Sequence, residues 1–273
     1  MSGKLIACLG GAGAPGVTTI ACQLAHAFSA GAKLDVALID MDMDHSPLGA
    51  IMEVNETAAM SKLYALTDIG ALGDDVVELA MQSAGEHLRV VTGFRGTELG
   101  PGFKPSQGLR VIHGLSARND ICILDIGRPR VWSAFELLRD FDVLCWVVTP
   151  TPEGAYHWRH IWDTVEGRGL PRNRMVAVIN QYDHPRALAE FPEQWMEDPG
   201  IPIVAKIPYL PKLDPIDLTR QVGGRLGKKR APQWVDAYDS FVSRIAGTIP
   251  TYEEVGNKHG LFGGLRRSRG DGN

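Results

Sequence analysis

Seven short apolar runs recur along the chain, separated by polar or helix-forming material, and this rhythm limits the folds available to it. The runs are LIACLG (5–10), VALIDM (36–41), RVVTGF (89–94), ICILDI (121–126), VLCWVVT (143–149), MVAVIN (175–180) and PIVAKIP (202–208). Most are continuously apolar rather than alternating, the pattern of strands buried on both faces of a parallel sheet. Between them, Ala21, Leu24, Ala25 and Phe28 fall on one helical face, and 153–166 and 232–247 also read as helices. Strands alternating with helices predict an α/β fold, a doubly wound, mostly parallel sheet of about seven or eight strands with right-handed crossovers.

At 273 residues, with 44% hydrophobic and 22% charged side chains, the chain has enough apolar material for a large core without disulfides. The four cysteines (Cys8, Cys22, Cys122, Cys145) form no C-x-x-C pair and are expected to be reduced core residues. A net charge of −4 gives no chain-wide attraction to DNA or anionic lipid, so any such contact needs a local basic patch. No apolar run approaches the roughly 18 residues that span a bilayer, and the N-terminus runs straight into a strand; a cytoplasmic protein is expected. The Gly- and Pro-rich stretch 93–108 reads as a long surface loop. The expected organisation is one domain over 1–250 and a flexible basic tail over 251–273.

The first run leads into LGGAGAPGVTT, residues 9–19, and a helix opens near Thr18. Strand, glycine-rich turn and helix in that order make a phosphate-binding loop, with the spacing of G-x-x-x-x-G-K-[ST] and valine in the lysine's place. Backbone N–H groups of such a loop converge on one anion, and the helix N-terminus adds partial positive charge. The candidate set is Gly11, Gly13, Ala14, Pro15, Gly16, Val17, Thr18 and Thr19, with the Thr18 hydroxyl completing a magnesium shell made mostly of phosphate and water oxygens. The alternative for the loop alone is a turn that lets strand and helix pack closely.

Other strand ends weigh on that choice. The second ends LIDMDMD, so Asp40, Asp42 and Asp44 face one way if the strand continues, toward a metal and an attacking water. The fourth ends ICILDIG, placing Asp125 as a further carboxylate near the metal. The sixth ends at Asn180, whose amide can pair with a purine edge. In open α/β sheets, ligands bind outside the carboxyl ends of the strands, where all of these fall. Arg128 and Arg130 follow Asp125 closely and have two readings, cations facing the phosphates or surface arginines in a loop, the second favoured.

Glycine loop, DxD strand, apolar-D-x-G strand, strand-Asn and I-P-Y, in this order over roughly 3–250, resemble the MinD/ParA class of P-loop ATPases. The resemblance implies ATP and Mg2+ as cofactors. It assigns Thr18 and Asp40 to the metal, Asp42 to the attacking water as the catalytic residue, Asp125 to the metal's surroundings, and Asn180 and Pro208 to the adenine. Two lysines of that class are absent: Val17 stands for the one that crosses the phosphates, Ala12 for the one that reaches a partner's nucleotide across a dimer. The loop is similar to that of the TadZ/CpaE-like subset, which marks sites of pilus assembly at a cell pole.

The resemblance further implies a homodimer and a protein partner in an assembly or partition system, at the inner membrane face or a cell pole. Loss of the lysines puts hydrolysis in question more than binding, because backbone donors still hold phosphate. A positioning scaffold with little turnover, an active DNA-partitioning ATPase and a nucleotide-free interaction module are the three functions open at this point. Non-specific DNA contact falls to the basic stretch 220–230, and weak membrane contact to 261–269, where Leu261, Phe262 and Leu265 neighbour arginines. Trp158 and Trp162, four apart, are expected to be partly buried core.

Overall fold

All seven apolar runs form strands, and an eighth joins them at one edge. The computed structural model describes residues 3–11, 16–42, 47–94, 104–128, 134–188, 200–210 and 232–248. In chain order the elements are β1 (Lys4–Gly10), α1 (Val17–His26), β2 (Val36–Asp40), α2 (Leu48–Ile51), α3 (Ala59–Asp68), α4 (Asp74–Ala80), β3 (Gln82–Gly85) and β4 (Leu88–Val91). There follow α5 (Pro105–Ser116), β5 (Ile121–Gly127), α6 (Ala134–Leu137), β6 (Val143–Val148), α7 (Pro152–Arg168), β7 (Met175–Asn180), β8 (Ile203–Ile207) and α8 (Pro232–Thr248). The sheet order is β3-β4-β2-β5-β1-β6-β7-β8, with every pairing parallel except β3 with β4.

The eighth strand, β3, reads QSAG and lies at the sheet edge with alternate residues exposed. Short, small and polar, it carries no apolar run to announce it. Two expectations need correction. β4 ends at Val91 rather than running to Phe94, because Thr92 turns to the start of α3: its hydroxyl accepts the Ala59 N–H at 3.3 Å and its carbonyl the Met60 N–H at 2.9 Å. The expected loop 93–108 gives way to helix at Pro105, whose fixed φ suits a first turn, and Gln107 and Gly108 are buried. The tail 251–273 and the stretch 220–230 lie outside the described residues.

Period-two alternation along the strands divides the core into two layers. Ile6, Cys8, Leu38, Ile123, Cys145 and Val178 face α1 and α8, where Ile20, Leu24, Phe241 and Ile245, with Phe28 just beyond α1, cover them. Ala7, Leu9, Ile39, Leu124, Trp146 and Ala177 face α3, α5 and α7, where Leu63, Val111, Leu115 and Trp158 cover them. Each large aliphatic side chain so buried contributes about 1.5–3 kcal/mol. All four cysteines are free and buried. Trp158 is buried edge-on against Trp146 (centroids 5.7 Å apart), while Trp162 stacks on it at 5.9 Å and takes the Arg172 guanidinium over its ring.

The amino ends of the strands are tied by ion pairs and a hydrogen bond. Lys4 Nζ meets Asp142 Oδ1 at 3.2 Å and Arg89 meets Glu78 at 2.8 Å, while His87 Nδ1 and Asp35 Oδ1 lie 3.0 Å apart in a hydrogen bond. At the carboxyl end of β6, α7 presses close. A Cβ on Gly154 would lie 2.1 Å from the Thr149 carbonyl oxygen and 2.4 Å from its Oγ1. Gly154→Ala is therefore expected to lower stability by about 1–3 kcal/mol despite alanine's better helix propensity. Urea unfolding midpoints of the two proteins check this; a midpoint unchanged or raised contradicts the close approach.

Candidate functional site

α1 begins without a side-chain cap. Gly16 precedes it at φ 85°, ψ 30°, left-handed backbone that a side chain strains, and its carbonyl accepts the Ile20 N–H at 3.0 Å. No acidic side chain occupies the first turn, so its N–H groups and partial positive charge remain available to an anion. Val17 is 5% exposed and packs into the α1-side core, leaving only its backbone to serve a ligand. Thr18 and Thr19 are half-buried at the helix start, as is Gly11 beyond β1. Gly13, Ala14 and Pro15, with Ala12, lie outside the described residues.

Register decides where the carboxylates stand. Asp40 of β2 and Asp125 of β5 are direct neighbours across the ladder, and Asp125 also pairs with Cys8 of β1. By parity with Leu38 and Ile123 both point to the α1 face, and both are fully buried. The condition on which Asp42 would share the face of Asp40, a strand continuing past Asp40, is not met. The strand ends at Asp40, where the Asp42 N–H donates to Asp40 Oδ1 at 3.0 Å and the chain turns. That turn lays the Asp42 carboxylate on Gly127: a Cβ built there would lie 2.5 Å from Asp42 Oδ2, and Gly127 has φ 58°. Asp44 lies outside the described residues.

Asp125 accepts the Gly127 N–H on Oδ1 at 3.2 Å, while its Oδ2 is buried with no hydrogen-bond partner. Burial, with the Asp42 charge beside it, pushes its carboxyl up to about 6; Thr18 and the Gly127 N–H pull the other way. No basic side chain among the described residues offsets this. Arg128 is exposed, and its charge acts on His157 of α7, which burial and that charge hold below the usual histidine range. Arg130 lies outside the described residues.

On the far side of β1, Asn180 ends β7 with the same α1-facing parity, opposite Ile207 of β8. A Cβ on Gly16 would lie 2.5 Å from Asn180 Nδ2, so this amide sits directly against the glycine loop. Asn180 Oδ1 accepts the Gln181 N–H at 3.1 Å. Pro208, buried, follows Ile207. The loops after β7 and β8 are tied together: Tyr182 N–H to the Ile207 carbonyl at 3.0 Å, Tyr209 N–H to Asp183 Oδ1 at 2.5 Å, and His184 edge-on to Tyr209 at 4.6 Å.

Thr18, Asp40, Asp42 and Asp125 thus gather on one side of the α1 N-terminus, with Asn180 and Pro208 on the other. No protein-family model matches the sequence, and a comparison with curated proteins finds no match. Solved structures do match. A ParA family ATPase from Chlorobium tepidum superposes with a TM-score of 0.71 at 18% identity, over 88% of this chain and 98% of that one. The septum site-determining protein MinD of Pyrococcus horikoshii, in complex with Mg-ADP, gives 0.68 at 17%, over 91% and 98%. The MinC:MinD cell division protein complex of Aquifex aeolicus gives 0.67 at 17%, over 89% and 96%. The chain has the fold of the ParA and MinD ATPases. At these identities the likeness is one of fold, and the site of this ParA/MinD-type fold is read from its own geometry.

Sequence reasoning missed the part played by Gly127, which gives Asp42 its resting place. The signal was present in ICILDIG, where the strand closes on a glycine two residues beyond its aspartate. It also missed Thr149, Thr151 and Gly154, where the Thr151 hydroxyl accepts the Gly154 N–H at 3.2 Å and starts α7 after β6.

Asp125 makes stability fall with pH. Its folded-state carboxyl titrates near 6, above its ordinary range, so the folded protein holds that proton more tightly than the unfolded chain. The penalty is absent near pH 4, grows as pH rises toward 6, and is complete above it. Asp125→Asn should therefore raise stability at pH 7–8 by on the order of 2 to 3 kcal/mol without metal or nucleotide, and change it little near pH 4. Urea unfolding across this range, in chelator, checks it; a pH-independent difference refutes it.

Proposed function

We propose that this chain is an ATP- and Mg2+-binding scaffold of the ParA/MinD type that dimerises and positions a protein partner, with little or no ATP hydrolysis. The observation that carries the reading is the meeting of an uncapped helix N-terminus, a glycine-first turn, buried Asp125 and Asn180 at one sheet edge. Phosphate suits the α1 N-terminus and the loop's backbone N–H groups. The magnesium ion fits the site: Asp125 Oδ2 is buried and without a partner, and the Thr18 hydroxyl lies alongside. No group of three protein ligands exists among the described residues, so the ion rests mainly on phosphate and water oxygens, with Thr18, Asp40 and Asp125 around it. Asn180 and Pro208 flank the base. The Mg-ADP bound by the Pyrococcus horikoshii neighbour and the MinC:MinD pairing support the cofactor and the partner as class expectations.

Weak turnover follows from Val17 and Ala12. Neither supplies the charge that stabilises a transferring phosphoryl group, and such a group contributes several kcal/mol. Pilus or secretion machinery is the partner class suggested by the loop's likeness to the TadZ/CpaE-like set. Ala12 also makes dimerisation less dependent on ATP than in lysine-bearing chains of this fold. Among the described residues no helix is long and apolar enough to cross a membrane, so contact with a membrane or pole is peripheral in this reading.

A second reading, an active partition ATPase working on DNA through 220–230, draws on Asp42, whose carboxylate lies against Gly127 and in that reading would orient the attacking water. A fluorescent ATP analogue with magnesium tests binding, and phosphate release with and without DNA separates the two readings. The scaffold reading expects saturable binding, weakened about tenfold or more by Thr18→Ala, and phosphate release near background. DNA-stimulated release that Asp42→Ala abolishes establishes the second reading instead, and no binding at all refutes both.

A further inference from the structure

The two most exposed large apolar side chains among the described residues lie together in sequence, on α4 and at the end of α3. Leu79 is 85% exposed and Ile69 74%. Ile69, Leu72, Val76 and Leu79 follow one another at intervals of three, four and three residues through the α3–α4 turn, and Leu72 and Val76 are only partly buried. Single exposed leucines are ordinary, whereas a run of this kind marks a contact surface. Helical spacing puts Asp74 and Glu78 on another side of α4. They reach Arg118, between α5 and β5, at 2.6 Å and Arg89 of β4 at 2.8 Å. The surface therefore stands toward the amino ends of the strands, whereas Asp125 and Asn180 stand toward the carboxyl ends.

Charge narrows what covers it. Residues 63–88 carry five carboxylates, Asp68, Asp74, Asp75, Glu78 and Glu86, and no lysine or arginine. Three cations from outside the segment, Arg89, Arg118 and Lys104, offset them only in part. The chain holds a segment of the opposite make-up. Residues 258–269, KHGLFGGLRRSR, combine Leu261, Phe262 and Leu265 with Lys258, Arg266, Arg267 and Arg269, and contain no acid. They lie outside the described residues.

Reach decides whose tail it is. α8 ends at Thr248 and packs on β8, on the α1 side of the sheet. α4 packs on the other side and leads into β3 at the opposite edge, seven strand spacings or about 34 Å away. A path around the body adds the thickness of the sheet and both helix layers. Residues 249–260 span at most about 45 Å when fully extended, so a chain reaching its own patch would be drawn nearly straight. A neighbouring molecule's patch sets no such demand.

We infer that the basic, apolar segment 258–269 of one copy docks on the acidic-rimmed α3–α4 surface of a second copy. The contact needs no nucleotide. Exchange of tails closes a pair, and one-way docking gives open chains. Three apolar side chains and a salt-screened attraction make it weak, with a Kd on the order of 10–100 µM.

Sedimentation of the full chain in chelator without nucleotide, from about 1 to 200 µM, tests it. The parent should self-associate, and less so as salt is raised. Ile69→Ser/Leu79→Ser on the patch and Leu261→Ser/Phe262→Ser on the tail should each weaken association about tenfold or more, with circular dichroism establishing that each variant is folded. A mixture of the two variants should associate more tightly than either alone, because one supplies an intact tail and the other an intact patch. A parent that stays monomeric throughout overturns the inference, as does a folded patch variant that associates like the parent. A mixture no tighter than its components assigns the contact to patch on patch or tail on tail, and overturns it too. Tail substitutions that abolish binding to phosphatidylserine vesicles and leave sedimentation unchanged give the tail to a lipid surface instead. Each of these outcomes leaves the nucleotide reading in place.

Discussion

A fully buried carboxylate at the carboxyl edge of β5 is the constraint around which the rest of this site is arranged. Asp125 is held by the ladder on both sides, opposite Asp40 of β2 and Cys8 of β1, and cannot swing to water. The same protein shows how it treats acidic groups elsewhere. At the amino ends of the strands Asp142 takes Lys4 and the Leu5 N–H, Asp35 takes His87, and Asp120 takes the Asp35 N–H. Those carboxylates tie neighbouring segments together. Asp125 has one N–H, a nearby threonine and an oxygen left over, and its proton affinity is raised as a result. The two ends of one sheet thus treat their acids differently: those at the amino ends are partnered, while Asp125 keeps an oxygen without a hydrogen-bond partner.

The architecture delivers this contrast through simple alternation. In each parallel strand, residues of one parity meet α1 and α8 and those of the other meet α3, α5 and α7. Asp40, Asp125 and Asn180 each carry the last α1-facing side chain of a strand, so they converge under the α1 N-terminus without any long-range device. β1 lies between β5 and β6, so the α1 start that follows it has the acidic strands on one side and Asn180, against Gly16, on the other. Gly16 and Gly127 are needed for reasons that concern the site. Both have positive φ, and both lack a Cβ where another side chain rests, Asn180 on the first and Asp42 on the second.

Much of this was legible in the residues. Doubly buried strands announce themselves as unbroken apolar runs, and all seven such runs are strands. β3 was not legible because QSAG pairs only at the edge, where backbone hydrogen bonds suffice and no apolar side chain is required. The placement of Asp40, Asp125 and Asn180 followed from their position at strand ends. The orientation of Asp42 did not, because sequence spacing cannot show where a strand gives way to a side-chain turn. Here the Asp40 carboxylate captures the Asp42 N–H and ends β2 early, the local competition that short polar side chains offer to a ladder. The helix beginning at Pro105 was hidden by the glycines and prolines upstream, which signal a loop more strongly than one amphipathic turn signals a helix.

The replacement of lysine by valine at the start of α1 is also more than a missing charge. Val17 belongs to the α1-side core with Ile20 and Ala21, so the helix start is anchored by packing where a lysine would leave it anchored by its ligand. A loop kept only as a tight turn would be served equally well by that packing, and would have no use for an acid buried beside it. Burying Asp125 in its charged form costs stability at neutral pH, and nothing among the described protein groups offsets the cost. The offset arrives only with something cationic. In the proposed reading, an apolar anchor at Val17 and an uncompensated acid at Asp125 belong to one design, in which the fold stands without a ligand and a metal would complete the site.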